Sequence, residues 1–186
     1  MGALTFLMNV SLDGYIESRD HSVDWGTNDD ELLEWFSERT WRFDALVYGR
    51  RLFELMNAHW PTAGDDPAAN ATTIEFARAW NAKPKVVVSS SMQQAPAGWR
   101  LLRGDPERIV EELRRDFSGD LQIAGPTLAA EFIRRRLVDE FDLIIHPVIL
   151  GGGTPFFPEL VEPTDLRLLE NRTFSSGVVY LRYATA

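Results

Sequence analysis

Short apolar runs alternate with amphipathic segments along the whole chain. The runs are rich in β-branched residues and rarely broken by polar positions, which predicts strands buried on both faces of a sheet. These predicted strands cover residues 3–10, 43–48, 85–89, 99–102, 121–124 and 141–150. Apolar positions three and four apart predict amphipathic helices between the strands. The predicted helices cover residues 29–40, 50–58, 73–82, 106–117 and 126–137.

A chain in which strands and helices alternate favours a parallel sheet, because each helix carries the chain back across the sheet. We therefore predict an α/β fold of three layers, α/β/α, with a mostly parallel central sheet. Near the end of the chain, residues 166–174 and 178–184 flank the turn sequence SSG and predict an antiparallel β-hairpin. No internal repeat or linker interrupts the pattern, so residues 1–186 are predicted to form a single domain.

Composition narrows the classes of function. The 186 residues carry a net charge of −9, which argues against a nucleic-acid surface or a polybasic membrane patch. There is no cysteine, so disulfides, thiolate zinc sites and cysteine nucleophiles are excluded. His21, His59 and His146 show no metal-ligand spacing, and we expect no metal site. The sequence shows neither a secretion signal nor a membrane-length apolar run, which favours a cytoplasmic protein.

Groups that bind phosphate follow three of the predicted strands. In an open α/β sheet, ligands bind outside the carboxyl ends of the strands, where helices begin. Arginine forks, hydroxyl groups and free N–H groups at a helix N-terminus together suit a nucleotide with several phosphates. The residues at these three strand ends are Gly49, Arg50 and Arg51; Ser89 and Ser90; and Gly125, Pro126, Thr127 and Leu128.

The three consecutive glycines at residues 151–153 suggest a fourth phosphate-binding loop. Glycine lets backbone N–H groups approach an anion closely, but such a loop normally leads into a helix. Here the chain continues into Pro155 and Pro158, and no cationic residue is adjacent. We therefore predict that Gly151 and Gly152 form a wall at the substrate end of a site and bind no phosphate.

Five short sequences occur in the order typical of a known superfamily: SLDGYI at 11–16, YGR at 48–50, VSS at 88–90, IAG at 123–125 and LGG at 150–152. With them, nearly the whole chain resembles the dihydrofolate-reductase-like superfamily. It is most similar to free-standing relatives of the C-terminal reductase domain of bifunctional riboflavin-biosynthesis deaminase–reductases. The cysteine-dependent zinc site of the fused deaminase is missing, because this chain has no cysteine.

The resemblance implies that the cofactor is NADPH. Arg50 and Arg51 would contact its 2′-phosphate or pyrophosphate, and Ser89 and Ser90 would lie at the adenosine phosphate end. The helix beginning after Gly125 would receive the pyrophosphate. The segment containing Val10, Gly14 and Ile16 would close over the nicotinamide. Homodimers are common among such relatives, and a small-molecule substrate is expected.

The acid that would deliver a proton is not evident from the sequence. Folate reductases keep a carboxylate on the inner face of the first helix, and the matching position here is Leu32. Asp13 and Glu31 are the candidate catalytic residues, although Asp13 could equally shape its own loop. Delivery by water or by the substrate itself is the alternative. The acids Asp30 and Glu34 are better explained as partners of the helix dipole.

Aromatic residues complete the predicted substrate side. Trp25 faces the substrate or anchors the long polar loop of residues 11–28 by packing. Of Phe156 and Phe157, one is expected in the core and one in the pocket, and Phe156 is assigned to the substrate side. His146 lies among apolar neighbours and is better explained as a buried or interface histidine than as a catalyst.

The main functional hypothesis is an NADPH-dependent reductase. It would pass hydride to an imine or carbonyl carbon of a small heterocyclic or sugar-derived substrate, similar to a 5-amino-6-(5-phosphoribosylamino)uracil reductase. One alternative is an NADP-binding module that has lost catalysis, which the leucine at position 32 would explain. A true dihydrofolate reductase is the weaker alternative for the same reason.

Overall fold

The computed structural model describes residues 2–186, which form ten strands and five helices. The strands are β1 (Leu4–Ser11), β2 (Tyr15–Glu17), β3 (Ala45–Gly49), β4 (Lys85–Val88), β5 (Trp99–Leu102), β6 (Leu121–Ala124), β7 (Glu140–His146), β8 (Thr154–Pro155), β9 (Leu166–Thr173) and β10 (Val179–Thr185). The helices are α1 (Asp30–Arg42), α2 (Arg50–Ala63), α3 (Ala71–Ala82), α4 (Pro106–Asp116) and α5 (Pro126–Arg134).

Eight strands form one twisted sheet in the order β5-β4-β3-β6-β1-β7-β10-β9. The six strands from β5 to β7 pair in parallel; helices connect most of them, whereas residues 89–98 join β4 to β5 without a helix. The C-terminal hairpin adds β10 and β9, which pair antiparallel with β7 and with each other. The predicted mostly parallel sheet with a terminal antiparallel hairpin is therefore confirmed.

Helices cover both faces of the sheet, and each face has its own apolar core. Helices α1, α2 and α3 pack on one face, where Leu32, Trp35 and Trp80 are buried. Helices α4 and α5 pack on the other face through Ile109 and Phe132. The strands are covered on both sides, which explains their nearly continuous apolar sequences. The three-layer α/β/α architecture is as predicted.

A buried ion pair joins helix α1 to the sheet. Arg39 Nε donates to Asp142 Oδ2 at 2.7 Å, with the side chains 4% and 0% exposed. Burial raises the pKa of the Asp142 carboxyl above its ordinary value, against the lowering effect of the guanidinium beside it. A pair so deeply buried costs desolvation when it forms, and removing one partner leaves an uncompensated charge in the interior.

The structure departs from the predicted elements in three places. The predicted loop of residues 11–28 contains strand β2, which pairs with β8 in a separate two-stranded sheet. The strand predicted at 141–150 ends at His146, because Pro147 offers no backbone N–H to continue the ladder. Helix α2 continues past the predicted end to Ala63, with Pro61 in its last turn, where few helical hydrogen bonds remain to be lost.

Strand β9 lies at the free edge of the main sheet, and all eight of its residues are exposed. Leu166, Leu168 and Leu169 are 37%, 46% and 37% exposed. Among residues 2–186, no helix combines the length and apolar character needed to cross a membrane.

Candidate active site

One cavity of about 670 Å³ opens at the carboxyl ends of the parallel strands. Met8 of β1, Gly49 of β3, Val88 of β4 and Gly125 after β6 all contribute to its lining. The first turns of α2, α4 and α5 border it, and Ile16 and Glu17 of β2 contribute from the loop. The cavity therefore lies where the sequence predicts a ligand, at the strand ends from which the helices begin.

Two helix N-termini meet at this cavity without a side-chain cap. Gly49 precedes α2 and Gly125 precedes α5, and neither can supply a capping oxygen. By contrast, α1 and α3 begin with Asp29 and Asn70, whose side chains accept from backbone N–H groups. The first-turn N–H groups of α2 and α5 consequently remain available, and the positive end of each helix dipole faces the cavity.

The two uncapped turns fit together because glycine occupies the contact. Gly125 has φ = 101°, and a Cβ atom there would lie 3.5 Å from the backbone nitrogen of Gly49. A Cβ on Gly49 would in turn lie 3.2 Å from Cβ of Leu128. A side chain at either position would crowd the place where an anion could approach both turns.

Arg50 is fixed by contacts on both of its sides. Its Nε donates to Glu54 Oε1 at 2.7 Å, and its Nη1 donates to Ser91 Oγ at 3.1 Å. Ser89 lines the cavity but is 8% exposed, and its hydroxyl accepts from the backbone N–H groups of Ser91 and Met92. The Ser89 hydroxyl thus shapes the turn, and Ser91, which the sequence analysis did not assign, lies beside the arginine.

Arg51 reaches across the cavity to Glu17 of β2. Its two terminal nitrogens lie 3.3 and 2.9 Å from the Glu17 carboxylate oxygens. Glu17 also accepts from Thr154 Oγ1 at 2.7 Å, and its side chain is only 6% exposed. Burial raises the pKa of the Glu17 carboxyl, but hydrogen bonds from Thr154 and Arg51 outweigh it and hold the pKa below its ordinary value. Glu17 was not among the predicted site residues, since a single glutamate in a polar loop gives no signal.

The glycines at residues 151–153 pack against the loop that follows β2. Their φ values are 71°, 147° and 143°, and a Cβ on Gly153 would lie 1.9 Å from the carbonyl oxygen of Glu17. A Cβ on Gly152 would lie 2.5 Å from Arg19 Nε, and Arg19 Nη2 donates to the Gly151 carbonyl at 2.8 Å. Gly151 and Gly152 lie outside the lining of the main cavity. Contact with another part of the chain requires glycine at positions 152 and 153, whereas a Cβ on Gly151 would meet nothing within 4 Å.

Asp13 holds the same glycine segment from the other side. Its carboxylate accepts from Ser11 Oγ at 2.7 Å and from the N–H groups of Leu150 and Gly151 at 3.0 and 2.8 Å. The Ser11 hydrogen bond is the main reason why the pKa of Asp13 lies below its ordinary value. Gly14 follows with φ = 90° and closes the turn. This geometry favours the loop-shaping role of Asp13 over the role of a proton donor.

Glu31 lies away from the cavity and is fully engaged elsewhere. Its carboxylate accepts from the N–H and Oγ of Ser175 at 2.9 and 2.7 Å and from Arg172 at 3.0 Å. These hydrogen bonds, with the Ser175 backbone first, lower the pKa of Glu31 to about 2. Glu31 thus fastens helix α1 to the turn between β9 and β10, and these contacts do not support its predicted catalytic role.

The predicted substrate-side aromatics separate in the structure. Phe156 is 3% exposed, with its ring centroid 4.5 Å from that of Phe6, so its assignment to the substrate side was wrong and it belongs to the core. Phe157 packs on Phe141 and borders a second cavity of about 410 Å³ near the C-terminal strands. Trp25 stands edge-on against His146, with ring centroids 5.5 Å apart.

His146 connects the long loop to the end of β1. The backbone N–H of Thr27 donates to its Nδ1 at 3.2 Å, and its Nε2 lies 3.0 Å from Oδ1 of Asn9. Burial lowers the pKa of the ring below its ordinary value, and the nearby Asp29 carboxylate partly opposes this. The histidine is buried, as expected, but it holds the loop in place through hydrogen bonds.

Ten of the twelve predicted cofactor residues line the main cavity. They are Ile16, Gly49, Arg50, Arg51, Ser89, Ser90, Gly125, Pro126, Thr127 and Leu128. Val10 is only 2% exposed and packs in the core, and Gly14 lies in the turn beyond the cavity, so neither fits the predicted direct contact. Within residues 2–186, no group of three or more His, Asp or Glu side chains is placed to hold a metal ion.

This architecture is that of the dihydrofolate-reductase-like proteins. Dihydrofolate reductase from Enterococcus faecalis, solved with NADP(H), superposes with a TM-score of 0.67 at 17% identity, over 99% of this chain and 96% of that one. A deaminase/5-amino-6-(5-phosphoribosylamino)uracil reductase from Thermotoga maritima superposes with a TM-score of 0.68 at 16% identity. That match covers all of this chain (100%) and 57% of the Thermotoga protein.

The family can be stated more narrowly. The model of the RibD C-terminal domain matches residues 3–180, and the chain belongs to this family. Its relatives include the uncharacterized protein YyaP of Bacillus subtilis (strain 168), which is 33% identical over 175 residues. That alignment covers 94% of this chain and 90% of YyaP. The suspected membership of the dihydrofolate-reductase-like superfamily is thereby confirmed.

Proposed function

We propose that the protein is an NADPH-dependent reductase, similar in its reaction to 5-amino-6-(5-phosphoribosylamino)uracil reductase. It would act on an imine or carbonyl carbon of a small heterocyclic or sugar-derived substrate. The observation that carries the proposal is the meeting of two uncapped helix N-termini and two arginines at one cavity. Membership of the RibD C-terminal domain family supports it.

The cavity suits a dinucleotide in both chemistry and size. The uncapped N-terminal turns of α2 and α5 would receive the pyrophosphate, for which free N–H groups and helix dipoles are suited. Arg50 with Ser91 would hold the 2′-phosphate through charge-assisted hydrogen bonds. The apolar residues Met8 and Ile16 would border the nicotinamide ring. A volume of about 670 Å³ lies within the range of sites for such ligands.

When bound, the cofactor supplies a hydride from its nicotinamide ring. The contribution of the chain is to hold the two reactants in contact, exclude water and orient the acceptor carbon. A proton must follow, and the candidates within reach of the cavity are poor acids. Glu17 has a lowered pKa and is held by Thr154 and Arg51, while Asp13 and Glu31 are engaged outside the cavity. We therefore assign proton delivery to water or to the substrate itself.

The cofactor assignment is tested by titrating NADPH and NADH into wild-type protein and Arg50→Ala. We expect NADPH affinity to fall by about tenfold to hundredfold, because a hydrogen bond to a charged group contributes about 1.5–3 kcal/mol. NADH affinity should change little, since it lacks the 2′-phosphate. Arg135→Ala, which removes a surface arginine paired with Glu107, is the matched control. Equal losses for both cofactors in Arg50→Ala would contradict the assignment.

A module that binds NADP without catalysis is the second candidate. It is favoured by Leu32, which is fully buried where folate reductases keep a carboxylate, and by the engagement of Glu31 with Ser175. Both candidate functions require NADPH binding, so only a turnover assay distinguishes them. Oxidation of NADPH by the saturated protein, followed optically with a panel of cyclic imines and carbonyl compounds, decides between them. Dihydrofolate belongs in the panel, and we expect no turnover with it.

We also propose that the protein is a homodimer that pairs through β9. This strand is at the sheet edge with eight exposed residues, three of them leucines, and an unpaired edge of this kind is open to further pairing. A second copy would cover the leucines. Light scattering after gel filtration should give twice the chain mass for the wild type and the single mass for Leu168→Glu. A monomeric wild type would contradict this proposal.

A further inference from the structure

Three residues from distant parts of the chain form a directed series of hydrogen bonds at the carboxyl end of β1. The Thr27 N–H donates to His146 Nδ1, and His146 Nε2 contacts Asn9 Oδ1. A backbone N–H can only donate, so Nδ1 must be the accepting nitrogen. A neutral imidazole then carries its hydrogen on Nε2 and donates it to Asn9.

The surroundings of His146 keep the ring in this state. Its side chain is 1% exposed, and burial disfavours the protonated form. A Cβ on Gly26 would lie 3.2 Å from the ring Cε1, and Trp25 packs edge-on against the ring, so the ring has little room to turn. With a donor fixed on Nε2, the Asn9 amide cannot rotate by half a turn, because two donors would then face each other.

The fixed amide presents its nitrogen away from the histidine. Within residues 2–186, Nδ2 of Asn9 donates to no protein atom, yet it is not among the buried atoms that lack a partner. It is therefore accessible to solvent. Asn9 is half-buried and follows Met8, which lines the main cavity. Asn9 is not itself a lining residue of that cavity: strand alternation turns its side chain to the α1 face, opposite to Met8, near the carboxyl end of β1, the end at which ligands bind sheets of this kind.

We propose that Asn9 binds the substrate through Nδ2 and selects a ring that presents a carbonyl oxygen rather than an amino group. His146 is the positioning residue that fixes which face of the amide the substrate meets. The location rests on the proposed function, since it places the acceptor next to the nicotinamide. A fixed donor discriminates against a ligand that presents an amino group in the same place, because two donors then face each other.

The test uses two pyrimidines of nearly the same shape. Uracil carries carbonyl oxygens at the ring positions where 2,4-diaminopyrimidine carries amino groups. Binding of each is measured calorimetrically to the full chain saturated with NADP⁺, at an alkaline pH that keeps the diaminopyrimidine neutral. We expect the wild type to bind uracil at least tenfold more tightly. Asn9→Asp keeps an acceptor for His146 but replaces the amide donors with a carboxylate oxygen, and should reverse the preference.

Two further variants distinguish a loss of substrate recognition from a general loss of structure. Asn171→Asp makes the same chemical change on exposed strand β9 and should leave the preference as in the wild type. His146→Phe removes the donor that orients Asn9, so the ratio of the two affinities should fall toward one. A merely structural role of His146 would lower both affinities equally and leave that ratio unchanged. Melting temperatures report whether each variant folds. If His146→Phe does not fold, the result for Asn9→Asp alone decides the question.

The same measurements test the role of Asn9 separately from the proposed reductase function. NADP⁺ affinity is measured separately, and each probe is also titrated without cofactor. Failure of the wild type to bind NADP⁺ contradicts the reductase proposal, whereas reversal of the uracil preference in Asn9→Asp still supports the role of Asn9. NADP⁺ binding with an unchanged preference, or with no binding of either pyrimidine to any variant, overturns the role of Asn9 alone.

Discussion

The two ends of the candidate active site are built in different ways. The phosphate end consists of short continuous stretches at strand ends, in which backbone N–H groups at the starts of α2 and α5 remain free. The proposed substrate end is assembled from distant segments: Asn9, the loop through Thr27 and His146, with the glycines at 151–153 packed outside the cavity against Glu17 and Arg19. Hydrogen bonds between side chains and backbone hold these segments together, as at Asp13 and His146.

Because of this difference, mutations at the two ends should have different effects on ligand affinity and on stability. At the phosphate end, the groups that would bind a ligand have few partners in the protein, so their loss should lower affinity and leave stability nearly unchanged. At the substrate end, the same atoms hold the fold together, so their loss should change both. The Glu17–Arg51 pair joins the two ends and should report on each.

The largest effect is expected at the ion pair that anchors α1 behind the substrate end. Arg39→Met leaves Asp142 buried without its partner, and the free energy of unfolding should fall by about 3–5 kcal/mol in urea denaturation. Replacing both residues, Arg39→Met with Asp142→Leu, removes the uncompensated charge and should recover most of the loss. A single variant as stable as the wild type would show that the pair does not anchor the helix.

The next effect is expected in the glycine segment. Gly153→Ala places a methyl group against the Glu17 carbonyl in a backbone conformation that strains any side chain. Stability should fall by about 3 kcal/mol. Gly151→Ala meets nothing within 4 Å and carries only the cost of its φ of 71°, about 1 kcal/mol. Thermal denaturation compares the two variants, and equal losses would refute the close contact between glycine segment and loop.

A smaller effect should appear in cofactor affinity when the two ends are uncoupled. Glu17→Gln keeps an oxygen for Thr154 but removes the negative charge that holds Arg51. NADP⁺ affinity should increase by about threefold to tenfold, because an anion then meets a less neutralised cavity. Glu54→Gln removes an exposed charge beside Arg50 and should change affinity less, since solvent screens it. Weaker NADP⁺ binding in Glu17→Gln would mean that the carboxylate orients Arg51 for the ligand.

The smallest effect concerns acid stability at Glu31. Its pKa falls from the ordinary value of 4.5 to about 2 in the folded chain. The folded state therefore gains stability above pH 4.5, and this gain is lost as the pH falls from about 4.5 toward 2. Glu31→Gln should flatten that part of the stability–pH curve relative to the wild type, while NADPH affinity at neutral pH stays the same. An unchanged stability–pH curve in Glu31→Gln would show that the Ser175 contacts do not lower the pKa of Glu31.

Much of the cavity lining at the starts of α2 and α5 could be predicted from the sequence because its determinants are local. The strand, the glycine and the first helical turn are contiguous at Gly49–Arg51 and at Gly125–Leu128, and parallel strands bring their carboxyl ends to one edge. The prediction failed where contacts are distant. Glu31 and Ser175 are 144 positions apart, and Phe156 lies in the core next to β8, which pairs with the distant strand β2. No local pattern reports such distances.

The sequence by itself determined the order of the helices and of the main-sheet strands, the three-layer fold and the strand ends that face the cavity, since periodicity and helix-start chemistry act over a few residues. Only the tertiary structure decided which atoms are already occupied by other parts of the chain. Asp13 and Glu31 are acids in the sequence, but in the fold they accept hydrogen bonds that lower their pKa. Nothing in the sequence distinguishes Asn9 from other amide residues. In the fold, His146, 137 positions away, fixes the direction in which the Asn9 amide points.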